Sequence, residues 1–112
     1  MGAFPATRLR RLRRTSALRG LVRETRLELE DFVMPLFVAP ASHPNHELPA
    51  LARHSLASVV AEAEQLVRLG VSAVLLFGVP DSKDEEGSGA WADEGVVQVA
   101  LRELRRAFPE LV

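Results

Sequence analysis

The sequence contains no cysteine among its 112 residues and a single lysine, Lys83. The absence of cysteine excludes disulfides, thiolate metal sites and cysteine nucleophiles from this chain. Lys83 lies among four acidic residues, Asp81, Asp84, Glu85 and Glu86. Neighbouring carboxylates favour a charged ammonium group, whereas a lysine that forms a Schiff base has to lose its proton. We therefore predict that Lys83 is not a catalytic lysine.

Long apolar runs are missing as well, because no stretch reaches the roughly 18 residues of a membrane-spanning helix. The arginine-rich N-terminus lacks the apolar core and cleavage site of a secretory signal, although organellar transit peptides share its composition. With 47% hydrophobic and 26% charged residues, the composition is typical of a soluble globular protein. We expect a cytoplasmic protein that contacts no membrane.

Positive charge is concentrated at one end of the chain. Residues 1–26 contain eight arginines and one glutamate, whereas residues 27–112 contain six basic and fourteen acidic side chains. This asymmetry predicts a basic arm over residues 1–31 and a separate body over residues 32–112. Residues 8–14 combine five arginines with leucines three positions apart, a pattern that fits a short basic helix or an extended arm.

The basic arm raises the alternative of nucleic-acid binding, since arginines neutralise phosphates and release counterions. However, no aromatic residues are interleaved with the arginines of residues 8–14, and the body is acidic. We therefore predict that the arm is a subunit contact or a surface arm and that the protein does not bind nucleic acid.

The body begins with a strand and a helix. Residues 32–38 are almost continuously apolar, which is typical of a strand buried on both faces, and Pro35 predicts an irregularity near its middle or a start just after it. Residues 39–54 lack apolar periodicity and predict a loop. A helix is expected from an N-cap at Ser55 to a left-handed stop at Gly70.

A second strand and helix follow. Residues 71–77 again form an apolar run, residues 78–95 are polar, and apolar positions at helical spacing extend from Val96 to Phe108, before Pro109. The last three residues predict the approach to a third strand. This alternation indicates parallel βα units with right-handed crossovers, about two of the eight in a (β/α)8 barrel. Two units alone would expose sheet edges and apolar helix faces, so we expect an isolated pair to be marginally stable or prone to aggregate.

Two polar segments could hold a functional site. His43 and His46 are three residues apart, but no carboxylate or thiolate motif accompanies them, which favours a solvated loop. Residues 81–91 contain glycines and four acidic side chains, which would repel a phosphate and do not follow the ligand spacing of an EF-hand. We predict a long, partly ordered βα loop pinned by Trp91, and no catalytic, cofactor-binding or metal-binding residue.

Several segments together resemble the porphobilinogen synthase family, also called 5-aminolevulinate dehydratases. The most specific is a D-E-x-G-S-x-A-W string, at residues 84–91, that follows a strand ending in L-F-G. The resemblance extends over nearly the whole chain. It covers residues 10–14, 18–19, 24–25, 34–38, 75–80, 83–91 and 108–112.

The resemblance implies the N-terminal part of a TIM barrel, preceded by an arm that wraps a neighbouring subunit in a homo-octamer. It implies an enzyme that condenses two 5-aminolevulinate molecules to porphobilinogen, in tetrapyrrole and heme biosynthesis. Family members form Schiff bases on lysines of later strands. Zinc, where used, is held by cysteines after the third strand, and many bacterial members use magnesium. All these positions would lie beyond Val112, so we expect an N-terminal fragment that is inactive alone.

One segment departs from the family. Residues 48–54 stand where members have a Met-Pro-Gly-Val turn, and they lack the glycine. Alanine tolerates a positive φ poorly, so the chain must take a different local path if that turn needs a left-handed residue. A different class of function stays open too, namely a short non-catalytic protein that docks on a partner through its arginine-rich arm.

Overall fold

A computed structural model describes residues 2, 5–45 and 47–112. Short 3-10 turns and three longer helices alternate with three strands. The helices and strands are α1 (Ser16–Leu21), β1 (Val33–Val38), β2 (Arg53–His54), α2 (Leu56–Leu69), β3 (Ala73–Gly78) and α3 (Val96–Ala107). The 3-10 turns are Arg10–Arg13, Leu29–Asp31, Pro49–Leu51 and Ser88–Ala90. Within the described residues, no helix is both long and apolar enough to cross a membrane.

The three strands form one parallel sheet in the order β2-β1-β3. β1 pairs with β3 along its whole length, from Val33 opposite Ala73 to Val38 opposite Gly78. At the outer edge of β3, the Val112 N–H donates to the Ser72 carbonyl (3.0 Å) and the Val112 carbonyl accepts from the Val74 N–H (2.8 Å). Val112 thus pairs with the edge of β3 in the pattern of a parallel ladder, and the start of a third strand there stays a prediction.

The prediction of an irregular strand at Pro35 is wrong, because β1 runs unbroken through it. The Val38 carbonyl accepts from Val79 on the β3 side, whereas the Ala39 N–H donates to His54 on the β2 side. Backbone groups of successive strand residues point to opposite sides, so the position of the missing Pro35 N–H faces away from β3. β2 pairs only with the last two residues of β1. Pro35 therefore costs the ladder no hydrogen bond.

The prediction of a simple loop over residues 39–54 is also wrong in part. His43 and Arg53 exchange two backbone hydrogen bonds of 2.9 Å, and β2 then joins the edge of β1. A strand of two residues carries no periodic signal, so the sequence could not reveal it. No described non-glycine residue has a positive φ, so the segment lacking the family's glycine reaches β2 without a left-handed residue.

The two long helices confirm the predictions from periodicity and capping. Ser55 caps α2 by accepting the Ser58 N–H through its hydroxyl oxygen at 3.3 Å. Gly70 ends this helix in the left-handed conformation, with φ of +94°. α3 begins after Gly95 and ends before Phe108, whose N–H donates to the Leu104 carbonyl at 2.8 Å.

Both long helices pack on one face of the sheet, and this is where the core lies. The buried core residues are Leu36, Val38, Val59, Ala63, Leu66, Ala100, Leu104 and Leu111. The opposite face carries the alternate strand residues and is open, with Val33 58% exposed and Leu75 52% exposed. On that face Phe37 and Phe77 stack with ring centroids 5.1 Å apart. The uncovered apolar surface is therefore a face of the sheet, whereas the sequence predicted exposed helix faces.

Residues 5–32 extend away from this core. α1 is capped by the Thr15 hydroxyl, which accepts the Leu18 N–H at 3.1 Å, and no residue of α1 is buried. The radius of gyration is 20.7 Å and the longest dimension is 58 Å. A compact domain of this length would have a radius of gyration of about 13 Å. The sequence allowed either a short helix or an extended arm. The arm is extended and also contains the short helix α1.

Candidate functional site

The carboxyl ends of β1 and β3 open into a cleft of about 1080 Å³. Its other walls are residues from the loop after β3 and the first turn of α3. In βα barrels, the loops at the carboxyl ends of the strands carry the chemistry. This cleft is therefore the candidate site of the chain, and the order of its loop decides what it can do.

One half of the loop is held by Asp84. Its carboxylate accepts the backbone N–H of Ser88 at 2.7 Å and also the Ser88 hydroxyl. The Gly87 N–H donates to the Asp84 carbonyl at 3.2 Å. Hydrogen bonds from the Ser88 hydroxyl and then from the Ser88 N–H lower the pKa of the Asp84 carboxyl below its ordinary value, although the group is exposed. Through these hydrogen bonds to Ser88 and Gly87, Asp84 orders this half of the loop.

The other half is held by polar side chains of α3. The Gln98 amide donates to the Ala90 carbonyl at 2.5 Å, and the Arg102 guanidinium donates to the Asp93 carbonyl at 2.7 Å. Trp91 is 65% exposed, so the prediction that it pins the loop is wrong. Gln98 and Arg102 were missed by sequence reasoning. Their spacing of four on a helix that follows directly after the loop is the signal that could have found them.

Two glycines let the loop and α3 approach the end of β3. A Cβ atom at Gly78 would lie 2.7 Å from Cγ2 of Val97, and one at Gly95 would lie 2.5 Å from the Gly89 carbonyl oxygen. Both distances are shorter than van der Waals contact. The end of β3 and the loop backbone therefore pack closely against α3, and a larger residue at either glycine would force a neighbouring group to shift.

The histidines do not form a metal site in the described part of the chain. His43 is exposed and engaged in backbone pairing with Arg53, and His46 lies outside the described residues. The described residues contain no group of three or more His, Cys, Asp or Glu that could hold a metal ion. These residues therefore do not fit a zinc or magnesium site.

The position of Lys83 does not suggest a nucleophile. The side chain is exposed and Lys83 is flanked in the loop by carboxylates. A Schiff-base lysine requires desolvation or neighbouring cations to release its proton. The wall of the cleft is therefore ordered by hydrogen bonds between the loop and α3, and Lys83 lies on it as an exposed side chain.

The chain is similar in sequence to proteins of a known family. A family model described as delta-aminolevulinic acid dehydratase matches residues 6–112. Delta-aminolevulinic acid dehydratases of Halalkalibacterium halodurans and of a Synechocystis species are each 41% identical, over 93% and 97% of this chain and 33% and 34% of their own lengths. The chain thus spans about a third of the curated relatives that it matches.

A solved structure supports the fold. Delta-aminolevulinic acid dehydratase (porphobilinogen synthase) from Toxoplasma gondii, in complex with the reaction product porphobilinogen, matches with a TM-score of 0.84 and 28% identity. The match covers 95% of this chain and 31% of that one. The predicted fold class, the N-terminal part of a TIM barrel, is confirmed. The chain belongs to the delta-aminolevulinic acid dehydratase family.

Proposed function

We propose that this chain forms the first two βα units of a porphobilinogen synthase, which condenses two 5-aminolevulinate molecules to porphobilinogen and releases two waters. The observation that carries the proposal is the family match over residues 6–112, which includes the arm as well as both units. Relatives at 41% identity carry the name of the same enzyme.

In this proposal the chain is a wall of the barrel. The open face of the sheet presents apolar side chains, including Val33, Leu75 and Phe77, that further strands would cover. The edge of β3 beside Val112 is where the next strand pairs. The Schiff-base lysines, and the ligands of zinc or magnesium, belong to other units of the barrel. Residues 1–112 alone are therefore expected to be inactive.

The arm has a separate part in the proposal. Residues 1–31 form the arm, residues 32–112 form the two units, and the arm contacts a neighbouring subunit of a cytoplasmic homo-oligomer, an octamer by family resemblance. The exposure of the arm and its charge, opposite to that of the body, support this assignment. The same surface would also suit a non-catalytic protein that docks on a partner enzyme, which is the competing function.

An activity assay on captured protein separates the two functions. An antibody against residues 81–91 captures the protein from the cells that produce it, and porphobilinogen formation from 5-aminolevulinate is followed by colour reaction. The proposal predicts product with the captured protein and none with residues 1–112 made alone. Captured protein that is free of other polypeptides and forms no porphobilinogen would instead support the docking protein.

A further inference from the structure

One polar atom beside the cleft is buried without a hydrogen-bond donor. The Gln98 amide N–H donates to the Ala90 carbonyl at 2.5 Å, which ties α3 to the loop of residues 81–94. The oxygen of the same amide, Oε1, is buried and accepts no hydrogen bond from the described residues. A buried acceptor without a donor loses the hydrogen bonds that water would give it, and this loss destabilises the arrangement that buries it. The Gln98 side chain therefore holds the loop and also weakens its closed position.

The packing around Gly95 explains why Oε1 of Gln98 has no donor. Oε1 lies against the Gly95 backbone, where an added Cβ atom would meet it. The Gly95 N–H donates to the Ala92 carbonyl at 2.9 Å, so it is not available to Gln98. The glycine thus leaves room for the amide oxygen without pairing with it.

Few contacts hold the loop to the rest of the chain. The hydrogen bonds between Asp84 and Ser88 join parts of the loop to each other. Among the described residues, the side-chain hydrogen bonds that tie the loop to another element come from Gln98 and Arg102. No residue of this loop, which lies wholly within the described range, is buried. A segment with exposed hydrogen bonds and little buried surface opens locally at a low cost in free energy.

We propose that the loop of residues 81–94 is a lid on the cleft at the carboxyl ends of β1 and β3, and that Gln98 is its latch. In the closed form Gln98 donates to Ala90 and leaves Oε1 unpaired. In the open form water pairs with both groups, which offsets much of the lost hydrogen bond. The cleft is lined by residues of the loop and by residues 38–40 at the end of β1, so movement of the loop changes its width.

The consequence of this lid for turnover rests on the proposed function. In βα barrels the loops at the carboxyl ends of the strands surround the site of reaction. Lids at such sites open and close in each cycle, and their opening limits the turnover of many enzymes. The strength of the latch is therefore expected to set how often the cleft opens.

Opposite changes at Gln98 test the latch in the intact protein. Gln98→Lys keeps an N–H donor for the Ala90 carbonyl and removes the unpaired acceptor, so it should hold the lid closed. Gln98→Glu removes the donor and places a carboxylate against that carbonyl, so it should open the lid. Leu101→Lys and Leu101→Glu are the charge controls, because Leu101 is 55% exposed on the next turn of α3 and its side chain forms no hydrogen bond.

The measurement is the rate of chymotrypsin cleavage after Trp91, identified by mass spectrometry. Cleavage requires an opened loop, so its rate follows the open population when opening and closing are fast. We expect cleavage about tenfold slower in Gln98→Lys, and about tenfold faster in Gln98→Glu, than in the unchanged protein. Both Leu101 variants should stay within about twofold of it, as at an exposed position.

The outcomes separate this inference from the proposed function. If Gln98→Lys is cleaved as fast as the unchanged protein, the unpaired acceptor does not weaken the closed loop and the inference is wrong. Absence of cleavage after Trp91 in every variant would also contradict a lid that opens. If Gln98→Glu is cleaved faster at sites across the whole protein, it is unfolded and Gln98→Lys decides alone. Porphobilinogen formation, measured on the same samples, tests the proposed function separately.

Discussion

Gly95 shows how a single position controls the candidate site. Gly95 lies at the start of α3, close to the backbone of the loop of residues 81–94. A Cβ atom added at Gly95 would lie 2.5 Å from the Gly89 carbonyl oxygen. Gln98 also contacts that place, but its side chain can move, whereas the Gly89 backbone cannot do so without shifting the loop. The constraint is therefore steric and not conformational, because the φ of Gly95 is −58°.

We predict that Gly95→Ala destabilises the protein by about 1–3 kcal/mol, since overpacking of a tight contact costs that much. The measurement is the midpoint of urea unfolding. Gly89→Ala is the matched control, because a Cβ there meets nothing within 4 Å. Equal midpoints for the two variants would show that the loop is not packed against α3 as described.

The carboxyl of Asp84 makes the order of the loop after β3 depend on pH. Its folded pKa is lowered, so its contribution to the loop is present above the ordinary value of 3.8 and is lost as the pH falls through the lower folded value. We predict that Ser88→Ala raises the pKa of Asp84 towards 3.8, because the largest cause of the shift is the Ser88 hydroxyl.

The measurement is a carbon NMR titration of the Asp84 carboxyl. Ser82→Ala serves as the control, since Ser82 is not among the groups that shift Asp84. An unchanged titration of Asp84 in Ser88→Ala would contradict the hydrogen bond from that hydroxyl.

Among the secondary-structure elements, the two faces of the sheet differ in whether helices cover their side chains. Leu36 on β1 is 1% exposed beneath the helices, whereas Leu75 on β3 is 52% exposed on the open face. The two residues lie on adjacent paired strands, Leu75 opposite Pro35 and Leu36 opposite Leu76. They therefore form a matched pair for asking which face is covered.

We predict that Leu36→Ala costs about 2–5 kcal/mol of unfolding free energy in residues 1–112. Leu75→Ala in the same residues should cost only about 0.5 kcal/mol, as at an exposed position. In the protein as its cells make it, Leu75→Ala should cost as much as Leu36→Ala, because the barrel covers it. Urea unfolding of both variants in both forms checks this, and a small cost for Leu75→Ala in both would mean that the face stays open.

The bounds of a helix could be predicted from the sequence where they depend on neighbouring residues alone. Ser55 and Gly70 bound α2 because capping depends only on residues within one turn. Pro35 misled it, because the cost of a missing N–H depends on which strand lies beside it. Trp91 misled it because Gln98 and Arg102 hold the loop, and their hydrogen bonds need the folded position of α3.

The whole molecule combines an extended basic arm with a sheet that has one covered face. Apolar side chains of the arm and of one sheet face stay exposed among the described residues, as Leu21 (82%) and Leu75 (52%) show. We predict that further barrel strands cover the sheet face and that a neighbouring subunit covers the arm. The resemblance to porphobilinogen synthases could be found from sequence, whereas the exposure of these surfaces is seen only in the folded chain.

The length of the natural polypeptide decides whether the chain is part of a barrel, and it is measured as the intact mass of the protein captured from its own cells with the antibody against residues 81–91. The relatives are about three times as long as the matched chain, so the account predicts a polypeptide well over twice 12.3 kDa. A stable polypeptide of 12.3 kDa would contradict it, because the open sheet face would then have no further strands of its own to cover it.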